Sequence, residues 1–496
     1  MSNKTVCCVS YCFRADVCFV HTGVVVNDQV IKLKVLAVTG DCPALKIALN
    51  FVAHNGYHCC YFCYLRGVHT EGKRQYSYES PYEMRTTASF ARDAVIASRF
   101  NRNERGHLGV SILARVVDVP SPHAIIIDYA HASLLRHAKA MLSELDRRLR
   151  PAVGGHVDLA LSSQSFPHLF HRRMKALQDL SFVKATEVRN ILFYGFLPLF
   201  HRRLPLDILS HFSLYIVSMR LYHGRSIFLN RTGEIADDLF SKYYQDFPSL
   251  HQGLENFVLH LHAHYFNQYK MYGAFSHLGS FGQEGLMGYV GSNFTGSRYH
   301  GDLISENCSL DFLLHHEFNN LASSVNTADG PFDHCAHFDF TSDVAFRQVH
   351  DSECACASIN SCLNAFRRCV IKRRVFHSLN YNRRQKSVSY IVRYHASCHA
   401  DALLIGKIIT FLTCTTSIYA LIHRYPVHCL FSDLLLPSRY HALLREPINQ
   451  MFYVVAKDCS LECEAIPVSR IVDHCILFDC DEYQIATPVS SYDEHD

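Results

Sequence analysis

The chain carries little net charge. Its 48 lysines and arginines against 45 aspartates and glutamates leave +3 over 496 residues, which excludes a wholly basic nucleic-acid binder and leaves a local basic stripe as the only route to phosphate. No secretory leader is expected either. The start "MSNKTVCCVSYCFRADVCF" has no basic opening, clean apolar stretch and small-residue cleavage site. The 21 cysteines are therefore expected as free thiols or zinc ligands of a nuclear or cytoplasmic protein, not as a secreted disulfide framework. Long apolar runs free of charge are absent too. "ALLIGKIITFLTCTTSIYALI", Ala402 to Ile422, is long enough to cross a bilayer of about 30 Å. Lys407 lies within it, however, and its β-branched residues with Gly406 read as two buried strands and a turn. Neither a membrane nor a small-molecule partner is expected.

At 49% hydrophobic residues the chain can bury several cores, enough for roughly two to four domains. Residues 1 to 50 are short and strand-like, and "VIKLKVLAVTGDCPALKIALNF" reads as a strand over Val35 to Val38, a tight turn at Asp41 and Pro43, and a helix with Leu45, Ala48, Leu49 and Val52 on one face. An acid at the carboxyl end of a strand faces the crevice where α/β sheets bind ligands. Asp41 equally suits a plain cap of the helix behind Pro43. Residues 122 to 147 repeat the arrangement, with Ile125 to Ile127 leading to Asp128 and a helix beyond it. Asp128 and His131, three apart, share a face and can reach one site, or form an N-cap with a solvated histidine.

From about 150 to 290 apolar residues recur every three or four positions, as in "KATEVRNILFYGFLPLF" and "LDILSHFSLYIVSMRLYH", which predicts helices. The stretch 305 to 370, rich in Cys, His, Asn and Ser ("DGPFDHCAHFDF", "DSECACASINSC"), reads as linker and loop. After about 370, "SVSYIVRYHA", "QMFYVVAKD" and "HCILFDCDEYQIATPV" read as strands of a separate domain. The basic runs "RRLRP", "RRMK" and "RRCVIKRRVFH" can contact phosphate or stay as solvated faces.

Cys60 and Cys63 in "NGYHCCYFCYLRG" supply half of a tetrahedral zinc site, or a pair of buried thiols. His58 and His69 are local partners; His260, His262, His264 and His277 are distant ones that only folding brings near.

Taken in order, "DCPALKIALNFVAHNGYHCCYFCYLRGV", "QYSYESPYEMRT", "GHLGVSIL", "IDYAHASLL", the two helical segments above and "IPVSRIVDHCILFDC" resemble animal transposase-derived proteins of the CACTA (En/Spm-like) type. The resemblance spans most of 30 to 300 and is looser across the tail. It implies an α/β-plus-helical chain: a partial RNase H-like core over 1–145 with the Cys-x-x-Cys knuckle, a helical insertion and return to the core over 146–304, the linker 305–370 and a β-rich C-terminal domain over 371–496. It also implies transposable-element chemistry, in which three acids bind two Mg²⁺ or Mn²⁺ ions that cleave DNA and transfer strands. Residue by residue, it places Asp41 as the second acid and metal ligand, Asp128 with His131 as the Asp-x-x-His element, and Cys60 with Cys63 as a structural zinc knuckle.

The departures point to loss. Neither Asp16 nor Asp28 has the context of the first acid, and Ser297 in "SNFTGSRYHGDL" stands where the resemblance places a glutamate. Serine is a poor divalent-ion ligand. Glu284 and Glu306 are the nearest replacements. The relatives' paired His-x-x-x-His aligns with Gly273 and His277, which makes His277 the favoured third zinc ligand. The sequence thus predicts an inactive, decayed or domesticated remnant that binds DNA weakly and can form homo-oligomers, with an active strand transferase and a zinc-dependent adaptor as the alternatives.

Overall fold

The computed structural model describes residues 24–292 apart from 27, 33 and 225, scattered positions between 303 and 347, the run 329–335, and 363–490 with short gaps. Packing divides the chain into two compact units, Met1–Ala140 with Leu221–Ser280, and Met141–Arg220 with Phe281–Asp496. The helical stretch expected as one insertion is therefore shared between them.

The first unit is built on very short strands. β1 (Val24–Val26) pairs antiparallel with β2 (Gln29–Ile31). β3 (Val38–Gly40), β4 (Val68–Thr70), β5 (Lys73–Gln75) and β6 (Ile125–Ile127) follow. β4 and β5 form a hairpin across Glu71 and Gly72, both at positive φ. β3 runs parallel to β6 with Val38 opposite Ile125 and Gly40 opposite Ile127. All three isoleucines are buried, as a parallel strand covered on both faces requires. β6 lies where the sequence predicts it, but β3 starts at Val38 and not at Val35. The reason is local: Val35 donates its N–H to the Asp118 carboxylate at 2.7 Å and accepts the Asp118 N–H at 2.8 Å, so its backbone is withdrawn from the ladder.

The helix Cys42–Leu49 follows β3, with Pro43 in its first turn and Leu45 and Leu49 buried one turn apart. The helix Thr87–Phe100 opens with a reciprocal Thr86–Ser89 capping box. Later in the chain come Thr232–Leu250, which buries Leu239, Phe240, Tyr243 and Phe247, then Phe257–Leu261 and Tyr265–Tyr272. Gln268 on the last helix closes the free edge of β6. Its amide accepts the Ile127 N–H at 2.9 Å and donates to the Ile125 carbonyl at 2.7 Å, as a neighbouring strand does.

The second unit combines helices with a large antiparallel sheet. Ala185–Asn190, Phe196–Phe200 and Leu206–His223 are helical as predicted. The sheet holds 11 strands: β7 (Gly330–His334), β8 (Leu363–Ile371), β9 (Arg374–His377), β10 (Ile391–His395), β11 (Leu403–Cys414), β12 (Ser417–Tyr425), β13 (Val427–Leu430), β14 (Tyr453–Ala456), β15 (Cys463–Pro467), β16 (Ile471–Asp479) and β17 (Tyr483–Pro488). Its main path is β13-β14-β17-β16-β10-β11-β12-β15, and β8 joins β11, β7 and β9. The apolar run of Ala402 to Ile422 resolves into β11 and β12, antiparallel neighbours that bury Ile408, Phe411, Ala420 and Ile422 in one core. No helix among the described residues is long and apolar enough to cross a membrane.

The expected linker, 305 to 370, needs correction. It contributes β7 and most of β8, with the Arg368 guanidinium 4.3 Å from the Phe332 ring and 3.2 Å from the Asp333 carboxylate. That strand is held by charge and stacking more than by apolar alternation, so its sequence does not announce it. "DSECACASINSC" lies outside the described residues, apart from its neighbours in β8. The chain is thus a mixed α/β protein with a large antiparallel sheet in its C-terminal part.

Candidate metal centre and carboxylate pair

Cys60 and Cys63 sit on a buried knuckle between the helix Cys42–Leu49 and the β4–β5 hairpin, and both are fully buried. Arg85 holds the knuckle shut: its Nε donates to the carbonyls of Cys60 and Cys63, each at 3.1 Å. His260 and His264, one turn apart at the end of Phe257–Leu261 and just beyond it, bring two imidazoles to the same point. Cys60 Sγ lies 3.3 Å from His264 Nε2, Cys63 Sγ 3.2 Å from His260 Nε2, and the two Nε2 atoms 3.3 Å apart. All four donor atoms lie within 4.8 Å of one another. Tetrahedral zinc, with bonds of about 2.3 Å to sulfur and about 2.0 Å to nitrogen, sets donor-to-donor edges of about 3.3–3.8 Å. The four residues fit that ion.

The electrostatics agree with the geometry. Burial opposes ionisation of Cys60, but the Cys63 thiol and the two imidazoles facing it hold the Cys60 thiol well below its ordinary value. The hydrogen bond to Cys60 and burial push Cys63 up. Burial lowers His260 from its ordinary value. Zinc takes up thiolates and neutral imidazoles, and a closed, buried set of four protein donors is structural in kind.

His277, favoured from the sequence, is not among these donors; it lies exposed in the turn Phe275–His277. The true pair is His260 and His264, two of the four distant candidates. His262 between them faces elsewhere, with Nε2 2.9 Å from Ser133 Oγ and Nδ1 2.7 Å from the Val258 carbonyl. Of the local candidates, His58 is held by the Tyr64 carbonyl at 3.2 Å and His69 is exposed on β4.

The carboxylates occupy a different part of the first unit. Asp41 and Asp128 follow Gly40 and Ile127, which are register partners on neighbouring parallel strands. Both bear on the Cys42 thiol, which burial, with Asp41 and Asp128 nearby, pushes up to about 11. Asp41 caps its helix, accepting the Ala44 N–H at 2.8 Å. Asp128 is buried; one oxygen accepts the Ala130 N–H at 3.0 Å and the other lies 2.6 Å from His131 Nδ1. Burial works against its ionisation, but hydrogen bonds from His131 and Ser280 prevail and hold it below the usual carboxylate range. Asp128 and His131 therefore form a pair, and the histidine is not merely solvated.

Among the described residues no second group brings three donors within 4.8 Å, so Asp41, Asp128 and His131 do not fit a pair of divalent ions as they stand. Ser297 lies outside the described residues, as does Asp16, and Glu306 is exposed. A cleft of about 500 Å³ borders His264 and is lined by Phe62, Met84, Arg85, Lys270 and Tyr272 among others, with no carboxylate. Neither Asp41 nor Asp128 lines it. The chain matches no known protein-family model, no curated protein and no solved structure.

Proposed function

We propose that this chain is a transposase-derived protein of the CACTA type, with an RNase H-like core that once held two divalent ions, and that it no longer cuts DNA. The observation that carries the reading is the parallel register of β3 and β6, which sets Asp41 and Asp128 at matching strand ends, on strands about 4.8 Å apart. Carboxylates at adjacent strand ends are what two-ion cleavage needs, because one ion activates the attacking oxygen and the other stabilises the leaving one. The buried Cys₂His₂ group supports the same lineage, as a knuckle closed by a distant histidine pair.

Loss of activity rests on the third acid and on how the first two are used. Ser297 offers a hydroxyl where the resemblance places a carboxylate, and Asp128 directs its oxygens to protein groups. What the chain retains is a zinc-stabilised scaffold with weak, sequence-indifferent affinity for DNA.

The test uses supercoiled DNA and the purified 496-residue chain with Mg²⁺ or Mn²⁺. No nicking or strand transfer is expected, and none from Ser297→Glu alone. Metal-dependent cleavage that vanishes in Asp41→Ala overturns the inactive reading and makes Glu284 and Glu306 the next residues to replace.

A further inference from the structure

The basic runs most visible in the sequence are largely neutralised by the fold. Arg147 and Arg148 both reach Glu144, Lys175 pairs with Glu187, Arg367 and Arg368 with Asp333, and Arg374 with Asp473. A different pair of arginines is not. Arg66 lies just before β4 and Arg74 on β5, and both guanidinium groups sit on the ring of Tyr57, at 5.1 and 3.6 Å from its centroid. Tyr57 is 49% exposed. Among the described residues neither arginine pairs with a carboxylate, and Nη1 of Arg74 is shielded from solvent yet has no hydrogen-bond partner.

The arrangement is built, not incidental. Gly67 gives way to the Arg74 stem: a Cβ there would lie 2.7 Å from Arg74 Cδ. Arg74 Nε then donates to the Asn55 carbonyl at 3.4 Å, which fixes the fork over the tyrosine. The hairpin is anchored at both ends in the metal centre. Cys63 precedes it, and Tyr76, which follows, stacks on the ligand His260 at 6.0 Å and lies 2.8 Å from the Cys59 thiol through its hydroxyl. Two like charges converging on one ring repel each other unless an anion completes them, and planar guanidinium forks match phosphate oxygens two at a time.

We infer that Arg66 and Arg74, set on Tyr57 by the zinc-anchored hairpin, form a phosphate-contact site for the backbone of DNA. The choice of DNA over other polyphosphates rests on the function proposed above; the site itself rests on the geometry.

The experiment is fluorescence anisotropy of a labelled 20-base-pair duplex of arbitrary sequence with the zinc-loaded full chain, between 50 and 200 mM salt. Two lost phosphate contacts lower the slope of log K against log salt by about 1.8. The double variant Arg66→Gln/Arg74→Gln is expected to show that loss and roughly tenfold weaker binding or more, with its zinc content unchanged. Arg147→Gln/Arg148→Gln, which removes charges already paired with Glu144, is expected to leave the slope within experimental error. Tyr57→Leu keeps both charges but removes their platform, and an intermediate loss is expected. An unchanged slope in the Arg66/Arg74 double variant overturns the inference, as does a wild-type chain that binds no DNA. Loss of binding to polyglutamate in place of DNA overturns it in favour of an acidic protein partner. A wild-type chain that binds no DNA also removes the DNA affinity proposed above, whereas an unchanged slope in the double variant with wild-type binding intact overturns this inference alone; neither outcome bears on the cleavage assay.

Discussion

In the first unit every described strand is three residues long, whereas the second unit carries β11 with 12 residues and β8, β12 and β16 with nine each. Three-residue strands bury too little apolar surface and make too few ladder bonds to stand alone. The first unit compensates with side chains that act at a point: four residues that could hold a metal ion, an Arg85 that donates to three carbonyls, and tyrosine and histidine rings that bond across the helices. The second unit spreads its stability along a sheet whose core joins Val392, Ile408, Phe411 and Ile422. A unit held at a few points fails all at once when one point is removed, and a unit held along a sheet gives way by degrees.

Removing the metal is the most direct way to break that contrast. Chelation, or Cys63→Ser, should abolish stoichiometric zinc binding and unfold the first unit, since structural zinc contributes on the order of 10 kcal/mol, comparable to the whole stability of a domain. Hydrogen exchange checks it: amides of 56–76 and 257–272 should lose protection while β10, β11 and β16 keep theirs. Equal loss in both units would end the comparison.

Arg220 tests the second unit from within. It is partly buried, pairs with no carboxylate among the described residues, donates to the carbonyls of Phe193 and Pro488 and to Thr487 Oγ1, and lies between Tyr194 and Phe452 at 5.3 and 5.0 Å. Arg220→Ala should cost about 3–5 kcal/mol by stranding those acceptors, seen as a lower denaturant midpoint with zinc binding intact.

Gly106 is a smaller test of the first unit. It sits at φ +100°, and a Cβ there would meet the His58 carbonyl oxygen at 2.1 Å. Gly106→Ala should destabilise this unit by about 1–3 kcal/mol, read as earlier zinc release on heating, with the second unit's transition unmoved.

Acid gives the least discrimination, because both units bury neutral histidines. Burial, with His168 and Arg368 nearby, lowers His377 to about 4, and burial, with His168, Arg374 and His377 nearby, holds His474 well below its ordinary value. Burial lowers His107 and His262 to about 4 in the first unit. A depressed folded pKa means that the unfolded chain takes up protons first, so stability should fall as pH drops from about 6.5 toward 4. Melting at pH 7 and pH 5 measures this. Both transitions should move down, the first further because its zinc ligands also protonate, and His377→Gln should flatten the slope of the second.

The sequence made the second unit's strands legible because β10, β14, β16 and β17 alternate or run apolar and are bounded by Pro or Asp. It concealed β7, whose Phe332 and Asp333 are held by arginines far along the chain. Half of the metal centre was plain in Cys60-x-x-Cys63. The other half was hidden in "HLHAHY", where three histidines alternate and only the fold distinguishes the inward pair, His260 and His264, from His262. The helical spacing of four between His260 and His264 was the available signal, and the resemblance drew attention to His277 instead. Asp41 proved to be a helix cap as well as a strand-end acid, so its two readings were never exclusive.

Gln268 ties these parts into a lever. It lies one helical turn beyond His264, and its amide grips the N–H of Ile127, the residue immediately before Asp128. A displacement of the ligand helix is thus handed directly to the strand end, with one side chain as the rod between fulcrum and load. A group that steadies His264 therefore also braces the strand that ends at Asp128, while the carboxylate itself is turned by Ala130 and His131.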